Sequence, residues 1–519
     1  MNKVIDVNAA LDMIKDGDKI AISALGGIGF AQYIVAKMEE RFLETGHPAG
    51  LTLYSAGGHG GPAGVNDNRF VHKGFLKRHI CTHPKVVAQL QEAIENEELE
   101  GYILPQGVMN QLYRCAAARQ PGLLTKVGLG TYMDPRQEGG KMNSLAVEDI
   151  IKLMEIDGEE YLFYKSFPVS IALIKGTYAD EKGNVTLDRE PLKLELLECA
   201  LAAKGCGGKV IVQVDHVVES NSLNAKHVVV PAQLVDAIVI GQPVENPNQQ
   251  RPMVSSSFNP FITGEARSPM TGIVPPPADK LSPDDVLCRR AAFEMYPGAI
   301  VNLGVGVGGA AGMVAAAEGV QVEFTLELGV FGGIPVANPF GVSLNPESFV
   351  SPPTMFDFYH GENLDVTVLG VAEVDKEGNA NASKFAGHRN GQGGFLDIST
   401  CAKKVVFCTT LRTKGAEIAI ADGKVNIAKE GSIAKFVEKV EQITFNGKRA
   451  LAAGHEVLFV TERAVFKLEE EGLVLIEIAP GVDMEKDVIA QMDFKPVVSK
   501  NLKTMDARIF VPGRMGCFD

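Results

Sequence analysis

The clearest signal along the chain is a repeated change of hydrophobic period. Lys19–Ser23 (KIAIS) is a short apolar run, Gly26, Gly27 and Gly29 follow, and Ile34, Met38 and Phe42 then recur four residues apart. A strand, a glycine turn and an amphipathic helix account for that order. The same order returns at Ala299–Leu303 (AIVNL), the glycines between Gly304 and Gly309, and the helix-like GMVAAAEG. Strand, turn and helix in alternation predict an α/β fold with a largely parallel sheet. The opening MNKVIDVNAALDMIKDGDK reads as an amphipathic helix.

A second echo concerns turns. ADEKGNVT at 179–186 and VDKEGNAN at 374–381 each follow an apolar run and precede another, KVIVQVDHVV and KKVVFCTTL. Asp180, Gly183 and Asn184 therefore correspond to Asp375, Gly378 and Asn379, as expected of two related domains. Between them, 258–284 has no apolar period and carries three consecutive prolines, Pro275–Pro277. Proline-rich, aperiodic sequence suits an extended connection. The chain is thus expected to divide into an N-terminal domain 1–265, a linker 266–284 and a C-terminal domain 285–519. A helix is expected to start at Pro283 with Ser282 as its N-cap.

Composition narrows the class. With 519 residues, 45% hydrophobic and 22% charged, the chain is globular and long enough for more than one core. A net charge of −14 argues against a nucleic-acid binder, which needs clustered Lys and Arg. Eight cysteines include no C-x-x-C pair, and Cys199, Cys206, Cys401 and Cys408 sit in or beside apolar runs as expected of buried free thiols. No apolar run reaches membrane-spanning length, no signal core opens the chain and no metal-ligand spacing appears. A cytoplasmic protein with no membrane partner, metal or cofactor is expected.

Several short motifs could carry chemistry. Gly304-x-Gly306-x-x-Gly309 matches a dinucleotide fingerprint, with Glu323 and Glu327 at about the spacing of the ribose-binding acid. That keeps a NAD-dependent dehydrogenase open. In VEFTLELGVFGG, Val322, Phe324 and Leu326 alternate with Glu323, Thr325 and Glu327, a strand pattern that puts Glu327 at the strand end before Gly329, Gly332 and Gly333. Carboxyl ends of strands face ligand in open α/β sheets. Gln106, between an apolar run and a glycine, can donate to a developing oxyanion. Gly391-Gln392-Gly393-Gly394 can present backbone N–H groups to an anion. His59, within SAGGHGG, is the histidine most favourably placed for chemistry, although no nucleophile motif accompanies it.

Taken together, LPQGVMNQL, TKVGLGTYMDPRQEGGK, DGEEYLFYKSFP, IVNLGVG, LELGVFGG, FDFYHGENLDV, NGQGGFLDI, VEQITFNG and KTMDARIF resemble family I CoA-transferases of the single-chain propionate or acetate type, over nearly the whole length. The resemblance implies two similar open α/β domains and a homodimer or homotetramer. It implies CoA exchange between short-chain acyl-CoA and short-chain carboxylates, of the acetate, propionate, butyrate and lactate class, with CoA as co-substrate. Glu327 stands where the family has its nucleophile and Gln106 where it has a carbonyl-holding glutamine. Asn302 and Gly304 match the N-L-G motif near the active glutamate, and Gly393 and Gly394 match a loop beside the thioester. Gly308, Gly309 and Leu328 depart from the family pattern at positions bordering the acyl pocket. An acyl-CoA hydrolase on the same scaffold is the nearest alternative.

Overall fold

The computed structural model describes residues 2–244, 258–269, 279–304, 306–336, 340–516 and 518. They form two compact units. The first comprises Met1–Arg267, Glu327–Asp357 and Arg389–Gly394; the second comprises Ser268–Leu326, Phe358–His388 and Phe395–Asp519. The units are not contiguous in sequence, unlike the expected division at 265 and 285, because two excursions of the C-terminal half cluster with the first unit. Residues 270–278 of the expected linker, Pro275–Pro277 included, lie outside the described residues.

The first unit is built on an eight-stranded sheet. Its long strands are β1 (Lys19–Ile22), β2 (Leu51–Ser55), β3 (Leu76–Cys81), β4 (Glu100–Ile103), β5 (Ile171–Asp180), β6 (Lys209–Val218) and β7 (Ala237–Ile240). They lie side by side in the order β7-β6-β5-β1-β2-β3-β4, every neighbouring pair parallel. A parallel sheet covered on both faces needs continuous apolar runs, and all five residues of β2 are buried. Helix α1 (Gln32–Thr45) buries Ile34, Val35 and Met38, as its period predicts, and ends at Gly46. The N-terminal segment departs from expectation: only Val7–Leu11 is helical. Asp6 caps its start, and the acidic KDGD turn that follows cannot continue it, with Asp18 Oδ2 accepting the Lys15 N–H at 2.7 Å.

The second unit repeats the plan. Its strands are β8 (Ile300–Leu303), β9 (Glu323–Leu326), β10 (Val366–Gly370), β11 (Lys404–Cys408), β12 (Glu456–Val460), β13 (Ala464–Glu469), β14 (Gly472–Ile478) and β15 (Val497–Thr504). The parallel run β12-β11-β10-β8-β9 has the same order as β7-β6-β5-β1-β2, and β13 to β15 extend its far edge. The two D-x-x-G-N turns are the same structure. Asp180 Oδ1 accepts the Gly183 and Asn184 N–H groups at 2.9 Å each, and Asp375 Oδ1 accepts that of Asn379 at 3.0 Å. In both turns the asparagine Oδ1 then holds a distant backbone N–H, Ala232 at 3.0 Å and Gly447 at 3.1 Å.

Helix α2 (Gln106–Ala117) follows β4, and α3 (Leu196–Gly205) precedes β6. In the second unit α4 (Pro283–Ala292) starts where expected, with a capping box between Ser282 and Asp285, and α5 (Val307–Ala317) follows β8. No helix among the described residues is long and apolar enough to cross a membrane.

Candidate active site

The loops leaving the carboxyl ends of β1 to β4 meet one another in strand order. The Gly26 N–H donates to Gly58 C=O at 3.1 Å, joining the loops after β1 and β2. His83, after β3, packs against Gly58 on one side, and its Nε2 faces Gly393 on the other. The Gly393 N–H donates to Thr82 C=O at 3.1 Å, and the Gln106 N–H, after β4, donates to Gly393 C=O at 3.1 Å. The segment 389–394 is therefore stitched to the strand ends, where a ligand crevice forms in this type of sheet.

Gln106 opens α2 and is 1% exposed. Its side-chain oxygen is buried without a partner among the described residues. One turn on, Asn110 Nδ2 donates to Gln106 C=O at 2.9 Å while Asn110 Oδ1 stays unpaired. Gln392, between Gly391 and Gly393, is also buried, with neither its oxygen nor its nitrogen paired. Buried polar groups are nearly always satisfied, so three such amides around one backbone hydrogen bond mark a place prepared for a ligand. Gly394 is buried beside them and precedes a helix at Phe395–Cys401.

Glu327 belongs to the same unit. It directly follows β9 and is half-buried. The next residue, Leu328, is 2% exposed and crowds Gly341 together with Leu25 of the β1 loop. Gly329 adopts φ +94°, and a Cβ there would lie 2.1 Å from Val350 O. Only glycine fits, and it lets Val330–Phe331 turn back antiparallel to Ser348–Phe349, closed by the Val350 N–H on Gly329 C=O at 2.8 Å. A carboxylate is thereby fixed at a strand end by a tight turn.

Asn302 and Gly304 fall in the second unit. Asn302 is 1% exposed, and its Nδ2 donates to Tyr359 Oη at 3.1 Å and to Thr325 C=O at 3.4 Å. Tyr359 in turn donates to Thr325 Oγ1 at 2.9 Å. This network braces β9 two residues before Glu327. Tyr359 and Thr325 were not singled out in the sequence, since a tyrosine in a helix and a threonine in a strand resemble ordinary core residues. The Gly304 N–H donates to Val368 C=O at 2.9 Å, and a Cβ on Gly308 would lie 2.2 Å from that oxygen. The close packing of α5 on the sheet therefore falls on Gly308, between the glycines of the dinucleotide-like motif, whereas a Cβ on Gly306 would meet nothing within 4 Å; Val305 lies outside the described residues.

His59 is fully buried within a polar network that its sequence context did not announce. Its Nδ1 lies 3.2 Å from Asp67 Oδ1, Ser55 Oγ donates to Asp67 Oδ2 at 2.6 Å, and His79 Nε2 is 3.1 Å from Ser55 Oγ. Burial opposes charge on His59, but the Asp67 carboxylate outweighs it and raises its pKa. Burial pushes His79 down to about 4 and Glu195 up to about 7. Burial also holds His83 neutral, down to about 4, beside Gly393. Of the cysteines expected to be buried, Cys199, Cys401 and Cys408 are, whereas Cys206 is exposed just beyond α3. Among the described residues no group of three or more His, Cys, Asp or Glu side chains is arranged to hold a metal ion.

A profile of the family described as "Coenzyme A transferase" matches residues 4–241. The chain is 41% identical over 518 residues to the caffeate CoA-transferase of Acetobacterium woodii, covering 98% of each protein. It is 40% identical over 517 residues to the acetate CoA-transferase YdiF of Escherichia coli O157:H7, covering 99% of this chain and 96% of that one. Among solved structures, the YdiF acyl-CoA transferase apoenzyme from the same bacterium matches with a TM-score of 0.91 at 38% identity, covering 99% of this chain and 97% of that one. The thioester complex of YdiF with CoA matches with a TM-score of 0.90.

Proposed function

The chain belongs to the coenzyme A transferase family, and from that premise we propose that it exchanges CoA between a short-chain acyl-CoA and a free short-chain carboxylate, with Glu327 as the covalent carrier. The observation that carries this reading is the placement of Glu327: a half-buried carboxylate directly after a strand, ahead of a turn that only glycine can make.

In the proposed relay the Glu327 carboxylate attacks the acyl-CoA carbonyl. The C–S bond breaks, leaving an acyl-glutamyl anhydride and CoA thiolate. The thiolate attacks the glutamyl carbonyl, the anhydride C–O bond breaks, and the first carboxylate departs from a glutamyl-CoA thioester. A second carboxylate attacks that thioester and expels thiolate again. Thiolate attack on the acyl carbonyl of the new anhydride releases the new acyl-CoA and restores Glu327. One difficult exchange becomes four acyl-transfer steps of similar kind, and the energy of the thioester is retained.

A carboxylate is a weak nucleophile, so positioning and oxyanion stabilisation must supply the rate. The side-chain Nε2–H of Gln106, a residue whose backbone N–H is bound to Gly393 C=O, is the proposed donor; loss of one such donor lowers kcat by roughly 100- to 1,000-fold in acyl-transfer enzymes. The relay needs no cofactor beyond CoA as a substrate. The test is an exchange assay with acyl-CoA and a second acid, followed beside release of free thiol. Exchange that depends on the second acid and vanishes in Glu327→Gln supports the proposal. Thiol release without an acceptor acid makes the enzyme a hydrolase, and undiminished exchange by Glu327→Gln removes the assigned role.

A further inference from the structure

Gln392 sits in a loop that holds its backbone tightly and leaves its side chain unused. A Cβ on Gly391 would lie 2.4 Å from Pro84 Cδ, and one on Gly393 would lie 2.0 Å from His83 Nε2. Both neighbours of Gln392 are thus pressed against Thr82–Pro84, so the loop cannot shift to find partners for the amide. That amide is nevertheless buried, at 7% exposure, with Oε1 and Nε2 both unpaired. Unpaired oxygens on Gln106 and Asn110 accompany it, and the Gln106 N–H is bound to Gly393, the residue next to Gln392.

The chemistry of the unpaired atoms selects the ligand. A carboxylate, an acyl carbonyl or an oxyanion only accepts hydrogen bonds, so it satisfies Nε2 and leaves Oε1 empty. An N–H or O–H donor is needed as well. Lactate would bring a hydroxyl, but acetate, propionate and butyrate, as acyl groups or as ionised acids, carry no such donor. The pantetheine arm of CoA does: its first amide N–H stands two methylenes from the sulfur, close to the reacting carbonyl.

Resting on the CoA-transferase reading, we infer that Gln392 is a binding residue for the pantetheine arm, its Oε1 accepting the amide N–H nearest the thioester sulfur. This contact fixes the thioester while Gln106 meets the carbonyl. A residue kept unsatisfied for a ligand also makes a prediction about the free enzyme, because removing a buried unpaired polar group does not destabilise the fold.

The experiment is a cycle of one substitution against one atom of substrate. Wild type and Gln392→Met are assayed with the acyl-CoA that wild type transfers fastest, and with its analogue in which oxygen replaces that N–H. For the wild type, kcat/KM falls roughly 10- to 100-fold on replacing the N–H, the effect of losing a well-made hydrogen bond to a buried group. Gln392→Met shows a similar loss with native acyl-CoA, little further loss with the analogue, and a melting temperature no lower than wild type. The inference is overturned if wild type does not distinguish the two substrates, if the two losses multiply, or if Gln392→Met melts lower. Failure of wild type to transfer any acyl-CoA would instead sink the functional reading beneath it.

Discussion

Gly393 has no room for a methyl group. At φ +52° it lies in the region that favours glycine, and a Cβ would meet His83 Nε2 at 2.0 Å. Gly393→Ala must move the loop and loosen its bonds to Gln106 and Thr82. Displacement of a positioning group by ~1 Å can lower the rate about 100-fold, and a loss of that size in kcat/KM with an unchanged circular dichroism spectrum is expected. Wild-type kinetics from this variant would contradict the assigned geometry. His79 gives a pH prediction. Burial holds its pKa at about 4 against an ordinary 6.5, so the unfolded chain binds a proton that the folded one refuses. Its contribution to stability is complete above pH 6.5 and is lost as pH falls towards 4. The full swing is on the order of 3 kcal/mol. His79→Gln keeps a partner for Ser55 without titrating, so its urea midpoint should fall less than that of wild type between neutral and acidic pH. Glu195, raised to about 7, shifts stability the other way, so the informative quantity is the difference between variant and wild type. A parallel decline of both would refute the prediction.

At the scale of elements, the two D-x-x-G-N turns were legible because they are local. An aspartate capping its own turn and an asparagine at its end are recognisable in a handful of residues. Their second function was not legible, since Asn184 reaches the Ala232 N–H and Asn379 reaches that of Gly447, partners distant in sequence. The Gly447 hydrogen bond is buried and the Ala232 one only partly so. Replacing either asparagine by alanine should therefore destabilise by roughly 1–3 kcal/mol, with Asn379→Ala the larger, read from denaturant midpoints. Equal midpoints for both variants and wild type would mean these turns do not tie their sheets to neighbouring loops. Periodicity likewise marked β1, α1, β8 and the turn at Glu327. It overstated the N-terminal helix, where an acidic glycine turn overrides an apolar pattern.

For the whole molecule, the matching strand orders of the two units bear out two related α/β domains. The alternation of strand, glycine and helix announced the class, but the strand order itself is a long-range property no local pattern encodes. The candidate site was legible in part for the same reason. Glu327, Gln106 and Gly393 stand beside glycines that break the period and draw notice. Ser55 and His79 come together only through the pairing of β2 with β3, Asp67 reaches His59 from a 3-10 helix at Asn66–Phe70, and Asn110 and Gln392 become notable only once their burial is known. The claim on which the functional account depends is that Glu327 carries CoA on its own carbonyl. Its most direct test is to incubate the enzyme with acyl-CoA alone, trap with hydroxylamine, and map the modified residue by mass spectrometry. A hydroxamate at Glu327, absent when acyl-CoA is omitted, is the expected result; a modification confined to any other residue, or none in an enzyme that still exchanges CoA, would rule Glu327 out as the carrier.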